Sequence, residues 1–146
     1  MYSADWINYY LNWFNQWLGA PNNLLLALAR TESGYDPTTG NFQNVCNYLG
    51  ACGLMQLRPI AVQDIKNQFG ITIDRSDALQ SVVGAAMLMV LNYRYIAARG
   101  LQPSWESLIV AYNGGWTAGR DFLQNGDAPT QEGRNYLATV SQYIFA

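Results

Sequence analysis

The sequence predicts a single, mainly α-helical domain that carries one small irregular or short-hairpin lobe. Apolar residues recur at three- and four-residue spacing through most of the 146-residue chain. Gly, Pro and Asn fall between those periodic stretches, where helices stop and restart. Residues 34–58 lose the helical period and gather Gly, Asn, Thr and both cysteines. Half of the residues are hydrophobic and 12% are charged, which suits a packed globule rather than a disordered segment. A domain of this size buries about 70% of its unfolded surface. Residues 1–146 show no repeat, linker or low-complexity stretch and read as one domain, with an aromatic N-terminal helix in 1–20 and the rest of the core in 22–146.

The first helix is expected from Asp5 to Leu18. Trp6, Tyr10, Trp13 and Trp17 lie on it beside Ile7, Leu11, Phe14 and Leu18, and core packing is the first explanation of so wide an aromatic face. A sugar-stacking or partner-docking face is the second. Gly19-Ala20-Pro21 breaks the chain, and Asn22 or Asn23 is expected to cap a helix over Leu24–Ser33, which Gly34 and Pro37 end. After the irregular stretch, Pro59 suits the first turn of a helix that stops near Gly70. A longer helix follows from about Asp77 to Arg99, with Val82, Ala86, Met89, Leu91 and Tyr93 as inward residues. Ser104 caps a helix through Tyr112, ended by Gly114-Gly115. A short helix is expected near Thr117–Leu123, and Thr130 caps the last one, to about Phe145.

The charge balance narrows the partners. The net charge is −2 and no run of Lys or Arg occurs, so electrostatic capture of nucleic acid or of an anionic membrane is not expected. No charged segment precedes a long apolar run, so neither a signal peptide nor stable membrane insertion is read; a trimmed precursor or an excised domain would look the same. Histidine is absent, which removes Ser-His and Cys-His catalysis and most zinc sites; no metal or cofactor is expected. Cys46 and Cys52 form no metal or redox motif, and two buried thiols or a local disulfide both remain open.

Glu32 stands out for its position. Leu25, Leu28, Ala29 and Glu32 share one face of the second helix, so its carboxyl projects from an apolar helix end. Lost hydration there favours the protonated form, which general acid attack on a glycosidic oxygen requires. Pairing with an arginine, or capping a loop, is the alternative reading. Between Pro37 and Gln63 no Asp or Glu occurs, whereas a conventional glycosidase needs a second carboxylate about 5–9 Å from the first. Asp36, just before Pro37, reads as a turn former. Chemistry with one carboxylate fits this pattern better.

The motifs resemble the soluble lytic transglycosylase family, relatives of goose-type lysozyme. Glu32-Ser33-Gly34-Tyr35-Asp36-Pro37 resembles its Glu-Ser motif, Gly53-Leu54-Met55-Gln56 its second, and Ala111-Tyr112-Asn113-Gly114-Gly115 its Ala-Tyr-Asn motif. Glu132 with Arg134-Asn135-Tyr136 resembles the fourth. The resemblance runs from residue 24 to about 143 and implies a lysozyme-like helical fold that cuts peptidoglycan glycan strands between N-acetylmuramic acid and N-acetylglucosamine. It implies Glu32 as acid and then base, with the muramyl C6 hydroxyl closing a 1,6-anhydro ring.

It also implies substrate-binding roles. Ser33 would bond near Glu32 or a sugar, while Gln56 and the backbone of Met55 would hold acetamido or hydroxyl groups. Tyr112 and Asn113 would line the cleft, and the Tyr136 hydroxyl would orient Glu32. Packing or turn chemistry is the alternative for each: Asn113 as a cap, Tyr136 as core, Glu132 as a first-turn anion. The chain departs from the family in a longer Glu32–Gly53 stretch that holds Cys46, in Asn47 where a serine is usual, and in Trp116 where a proline often stands. Two other functions share the fold: hydrolysis by water, as in goose-type lysozyme, and a non-catalytic murein-binding component of a phage tail or secretion channel. Delivery in a virion, through a holin-made lesion, or within a larger exported protein docked by the N-terminal aromatic helix would bring the chain to the cell wall.

Overall fold

The computed structural model describes residues 2–145; Met1 and Ala146, the ends of the expected domain, lie outside them. Seven helices and no strand occur among the described residues. The chain forms two compact units, Met1–Met87 and Leu88–Ala146.

The first unit holds α1 (Ala4–Leu18), α2 (Leu24–Ser33), α3 (Pro59–Phe69) and the start of α4 (Ala78–Ala97). Ser3 caps α1 by accepting the Trp6 N–H at 3.4 Å, and Gly19 closes it in the left-handed conformation. Core packing does not account for the aromatic face of this helix. Ile7, Leu11 and Asn15 are the buried residues, a four-residue repeat that makes one narrow stripe. Trp6, Tyr9, Trp13 and Trp17 fall outside that stripe and are 48–59% exposed. Their rings cover one another instead: Trp13 meets Phe14 edge-on at 4.9 Å, and Phe14 meets Trp17 at 6.1 Å.

The cap of α2 also differs from expectation. Asn23 stands at the N-cap position but in the left-handed conformation (φ 66°), and its side chain makes no capping bond. Asn15 of α1 does that work: its Oδ1 accepts the Leu25 N–H at 2.9 Å while its Nδ2 donates to the Pro21 carbonyl at 2.9 Å. One buried amide therefore ties the end of α1, the turn and the start of α2 together. Leu24, Leu25, Leu28, Leu54, Met55, Leu57, Ile65 and Val82 are almost wholly buried in this unit.

The irregular lobe has no hairpin strands among its residues. Two isolated bridges pair Cys46 with Cys52 and Cys52 with Leu57, and a disulfide joins the two cysteines, which settles the open alternative between thiols and a bridge. Pro59 opens α3 and Gly70 closes it, as expected. Asp77 caps α4 by accepting the N–H groups of Leu79 and Gln80.

The second unit holds the rest of α4, α5 (Trp105–Gly114), α6 (Trp116–Asn125) and α7 (Gln131–Phe145). Ser104 and Ser107 form a reciprocal capping box on α5, and Thr130 accepts the Gly133 N–H to cap α7. α5 packs against both α6 and α7. Gly119 allows the first of these contacts, because a Cβ there would press on the Ser107 carbonyl and on Ala111. Tyr93, expected to point inward, is 42% exposed. The buried row in this part of α4 follows Met89, Asn92 and Ile96, at three- and four-residue spacing, and Tyr93 lies beside it.

Candidate active site

Glu32 occupies the last turn of α2, half-buried, beyond the fully buried Leu25, Leu28 and Ala29 that share its face. The helix ends there because Gly34 adopts a left-handed conformation (φ 69°) and its N–H returns to the Ala29 and Arg30 carbonyls. Two contacts then hold the chain that leaves the helix. Tyr35, 2% exposed, donates its hydroxyl to Asn8 Oδ1 at 2.6 Å, and Asn8 Nδ2 donates to the Pro37 carbonyl at 2.9 Å. Burial, followed by the charges of Asp36 and Asp5, pushes the Tyr35 hydroxyl up to about 12. This phenol is a neutral structural pin.

Ser33 is 3% exposed and donates its hydroxyl to the Ala29 carbonyl at 3.1 Å, so its one proton stays within α2. Its own carbonyl accepts the Gln43 N–H at 2.9 Å, which ties the returning lobe to the residue after Glu32. Asp36 behaves as the turn former expected from sequence. Its Oδ1 accepts the Thr38 N–H at 2.8 Å, and that bond holds the carboxyl below the usual carboxylate range. An exposed carboxylate stabilised as an anion is a weak base.

The Gly53–Gln56 segment is a tight turn whose polar groups face the protein. Gly53 has φ 83°, and a Cβ on it would overlap the Arg75 carbonyl oxygen. Met55, fully buried, donates its backbone N–H to Ser81 Oγ at 3.1 Å. Gln56 takes a left-handed conformation (φ 49°), and its Nε2 donates to the Val45 carbonyl at 2.8 Å and the Gly53 carbonyl at 3.0 Å. Both amide hydrogens of Gln56 are thus engaged, and Oε1 is the atom left to meet a ligand.

In the second unit Tyr112 and Asn113 lie near the end of α5, and Tyr136 lies on α7; the two tyrosines are 8% and 9% exposed. Asn113 sits inside α5 rather than capping it, and its Nδ2 donates to Glu132 Oε1 at 3.3 Å. Glu132 is in the first turn of α7, where a helix N-terminus stabilises an anion, so the bond joins α5 to α7. Asn113 also borders a hollow of about 180 Å³ lined by Val110, Thr117, Asp121, Thr130 and Gly133 among others. Trp116, which follows the Ala111–Gly115 motif, packs under the Arg99 guanidinium at 4.2 Å and beside Tyr95 at 6.2 Å.

Three participants were invisible in the sequence. Ser81 accepts the Met55 N–H from 26 residues away, and Arg75 Nη1 donates to the carbonyls of Gly50 and Leu57. Val45 supplies the carbonyl shared by Gln56 Nε2 and the Gly53 N–H, and a backbone oxygen leaves no trace in residue identity. Among the described residues no group of three or more His, Cys, Asp or Glu could hold a metal ion, and no helix is long and apolar enough to cross a membrane.

The profile of one protein family, described as the transglycosylase SLT domain, matches residues 12–134. The match takes in Glu32, Ser33, Met55, Gln56, Tyr112 and Asn113, and ends before Tyr136. No curated protein matches the chain.

Proposed function

The chain belongs to the transglycosylase SLT domain family, lyases that degrade peptidoglycan in the cell wall, and from that premise we propose that Glu32 is its single acid and base. One observation carries the assignment: Glu32 projects from the capped end of α2, and the lobe that follows offers no other carboxylate until Asp64, apart from an Asp36 held in a turn. The buried apolar face beside Glu32 and the partial negative charge of a helix C-terminus both support a carboxyl that arrives protonated.

Glu32 protonates the glycosidic oxygen between N-acetylmuramic acid and N-acetylglucosamine as the muramyl C1–O bond breaks. The muramyl C6 hydroxyl then adds to C1, and its proton passes to the Glu32 carboxylate. The 1,6-anhydro ring closes, no water is consumed, and Glu32 ends as it began. A nucleophile held by the reacting sugar has a high effective concentration, which is why a second carboxylate is not needed. Gln56 contributes its Oε1 to an acetamido or hydroxyl group, while Ser33 holds the end of α2 through Ala29 and Met55 anchors the Gly53–Gln56 turn to Ser81. Tyr112, Asn113 and Tyr136 are assigned to sugar binding through the motifs that contain them. The exposed aromatic face of α1 supports a virion or larger exported protein as the partner that carries the chain to the wall.

The test is mass spectrometry of soluble fragments from purified peptidoglycan, with wild type and Glu32→Gln side by side. Wild type is expected to release ends in 1,6-anhydromuramic acid, about 18 Da lighter than hydrolysed ends because the nucleophile comes from the substrate. Glu32→Gln is expected to release none while melting as cooperatively as wild type. Ends reducible by borohydride would replace ring closure with hydrolysis. Lysis by Glu32→Gln near the wild-type level would remove Glu32 from the mechanism, and no fragments from wild type would leave a murein-binding module.

A further inference from the structure

Tyr48 is 93% exposed, the most exposed large hydrophobic residue described, yet it does not sit on a loose loop. The Cys46–Cys52 disulfide closes its base. Asn47 Oδ1 accepts the N–H groups of Leu49 and Ala51 at 2.9 and 3.0 Å, and Asn47 exchanges a further backbone bond with Ala51. Arg75 Nη1 holds the Gly50 carbonyl from outside. The backbone beneath the ring is therefore already ordered, so a ligand that meets Tyr48 has only its side-chain torsions left to fix.

The loop is also continuous with the site. Gln43 is bonded to the Ser33 carbonyl beside Glu32, and Val45 is bonded to Gln56 and Gly53. From Gln43 to Tyr48 the chain spans at most about 17 Å, the length of roughly three sugar rings. Residues 43–52 carry no charge, which disfavours an acidic lipid surface or a charged peptide as the ligand and suits a neutral, amphipathic one. A phenol ring offers an apolar face for the C–H side of a pyranose and a hydroxyl at its edge.

We propose that Tyr48 is a stacking platform for an N-acetylglucosamine ring of the glycan strand, aimed by the disulfide-closed loop, and so helps set which strands the enzyme grips. This rests on the peptidoglycan reading of the site. No carboxylate, metal or covalent step is involved; Tyr48 determines binding rather than chemistry.

The experiment uses the full chain. Binding of chitotetraose and sedimentation with insoluble peptidoglycan are measured for Glu32→Gln alone and combined with Tyr48→Ala, Tyr48→Phe or Cys46→Ser/Cys52→Ser. Tyr48→Ala is expected to weaken binding about 10-fold, as the loss of one aromatic stacking contact does. Tyr48→Phe should stay within about twofold of the parent, since it keeps the ring face. The cysteine pair should weaken binding, and Tyr48→Ala should then add little. In the active enzyme Tyr48→Ala should raise KM with kcat nearly unchanged. Binding by Tyr48→Ala within twofold of the parent, or no chitotetraose binding by the parent, overturns the proposal. A catalytically silent wild type whose binding still depends on Tyr48 would instead sink the Glu32 mechanism and leave this inference standing.

Discussion

Replacing Gln56 with Glu separates a side chain that clamps the lobe from one that only awaits a sugar. In the structure Gln56 Nε2 donates to two carbonyls, at 2.8 and 3.0 Å, from a backbone held at φ 49°. Gln56→Glu keeps the shape and swaps the donor for an oxygen that faces both acceptors. Two neutral hydrogen bonds at about 1 kcal/mol each are lost, and the carbonyls left behind add a desolvation cost of similar size. The site is only half-buried, so a total of about 2–3 kcal/mol at pH 7 is expected. In a domain near this size each kcal/mol moves Tm by roughly 2–4 °C, which gives a fall of about 4–12 °C.

The pH dependence sharpens that expectation. A protonated glutamic acid can donate one bond to the Val45 carbonyl, so folding raises the pKa of the new side chain above its unfolded value of about 4.3. A raised acid stabilises the fold below the unfolded pKa and loses that contribution as pH rises. The deficit against wild type should therefore fall to about half at about pH 4, where one of the two bonds is restored, and be complete by about pH 7. Near-UV circular dichroism melts of both proteins at the two pH values provide the measurement. A Gln56→Glu melt within about 1 °C of wild type at pH 7, or a deficit that ignores pH, would refute the clamp.

Three further substitutions probe the first unit. Asn15→Leu should cost about 2–3 kcal/mol in denaturant unfolding, because it strands the Leu25 N–H and the Pro21 carbonyl, whereas Asn23→Gly should be neutral or stabilising by about 0.5–1 kcal/mol, because it relieves a left-handed residue that caps nothing. The opposite ranking would restore Asn23 as the cap. Tyr35, whose hydroxyl burial pushes up to about 12, favours the neutral form in the fold, so its contribution is whole below about pH 10 and disappears between 10 and 12. Tyr35→Phe should flatten Tm against pH over that interval while lowering Tm slightly at pH 7; an unchanged alkaline slope would assign the sensitivity to another group.

Helices were legible because their signals are local. The three- and four-residue spacing, Pro59 at a first turn, Gly34 and Gly70 at ends, and the Ser104 and Thr130 caps are each decided within a few residues. Position on a helix was legible for the same reason, which is how Glu32 could be singled out beyond Leu25, Leu28 and Ala29. What failed depended on a partner distant in sequence. Periodicity reports that α1 has an apolar face but not how much surface its neighbours offer, and here they cover Ile7, Leu11 and Asn15 and leave the tryptophans in water.

Capping rules look for a polar residue at the helix start, and Asn23 meets the rule by type, yet its left-handed backbone withdraws its side chain while Asn15 supplies the bond from one helix earlier. The same limit applies to the motif residues. A tetrapeptide names Gln56 but not the Val45 carbonyl that turns its amide inward, nor Arg75 holding the Gly50 and Leu57 carbonyls. A motif therefore identifies residues whose types matter, while the structure decides which atom of each is committed to the fold. For Gln56 that distinction commits the amide nitrogen to the Val45 and Gly53 carbonyls, beside the disulfide and the Arg75 bonds that hold the same lobe.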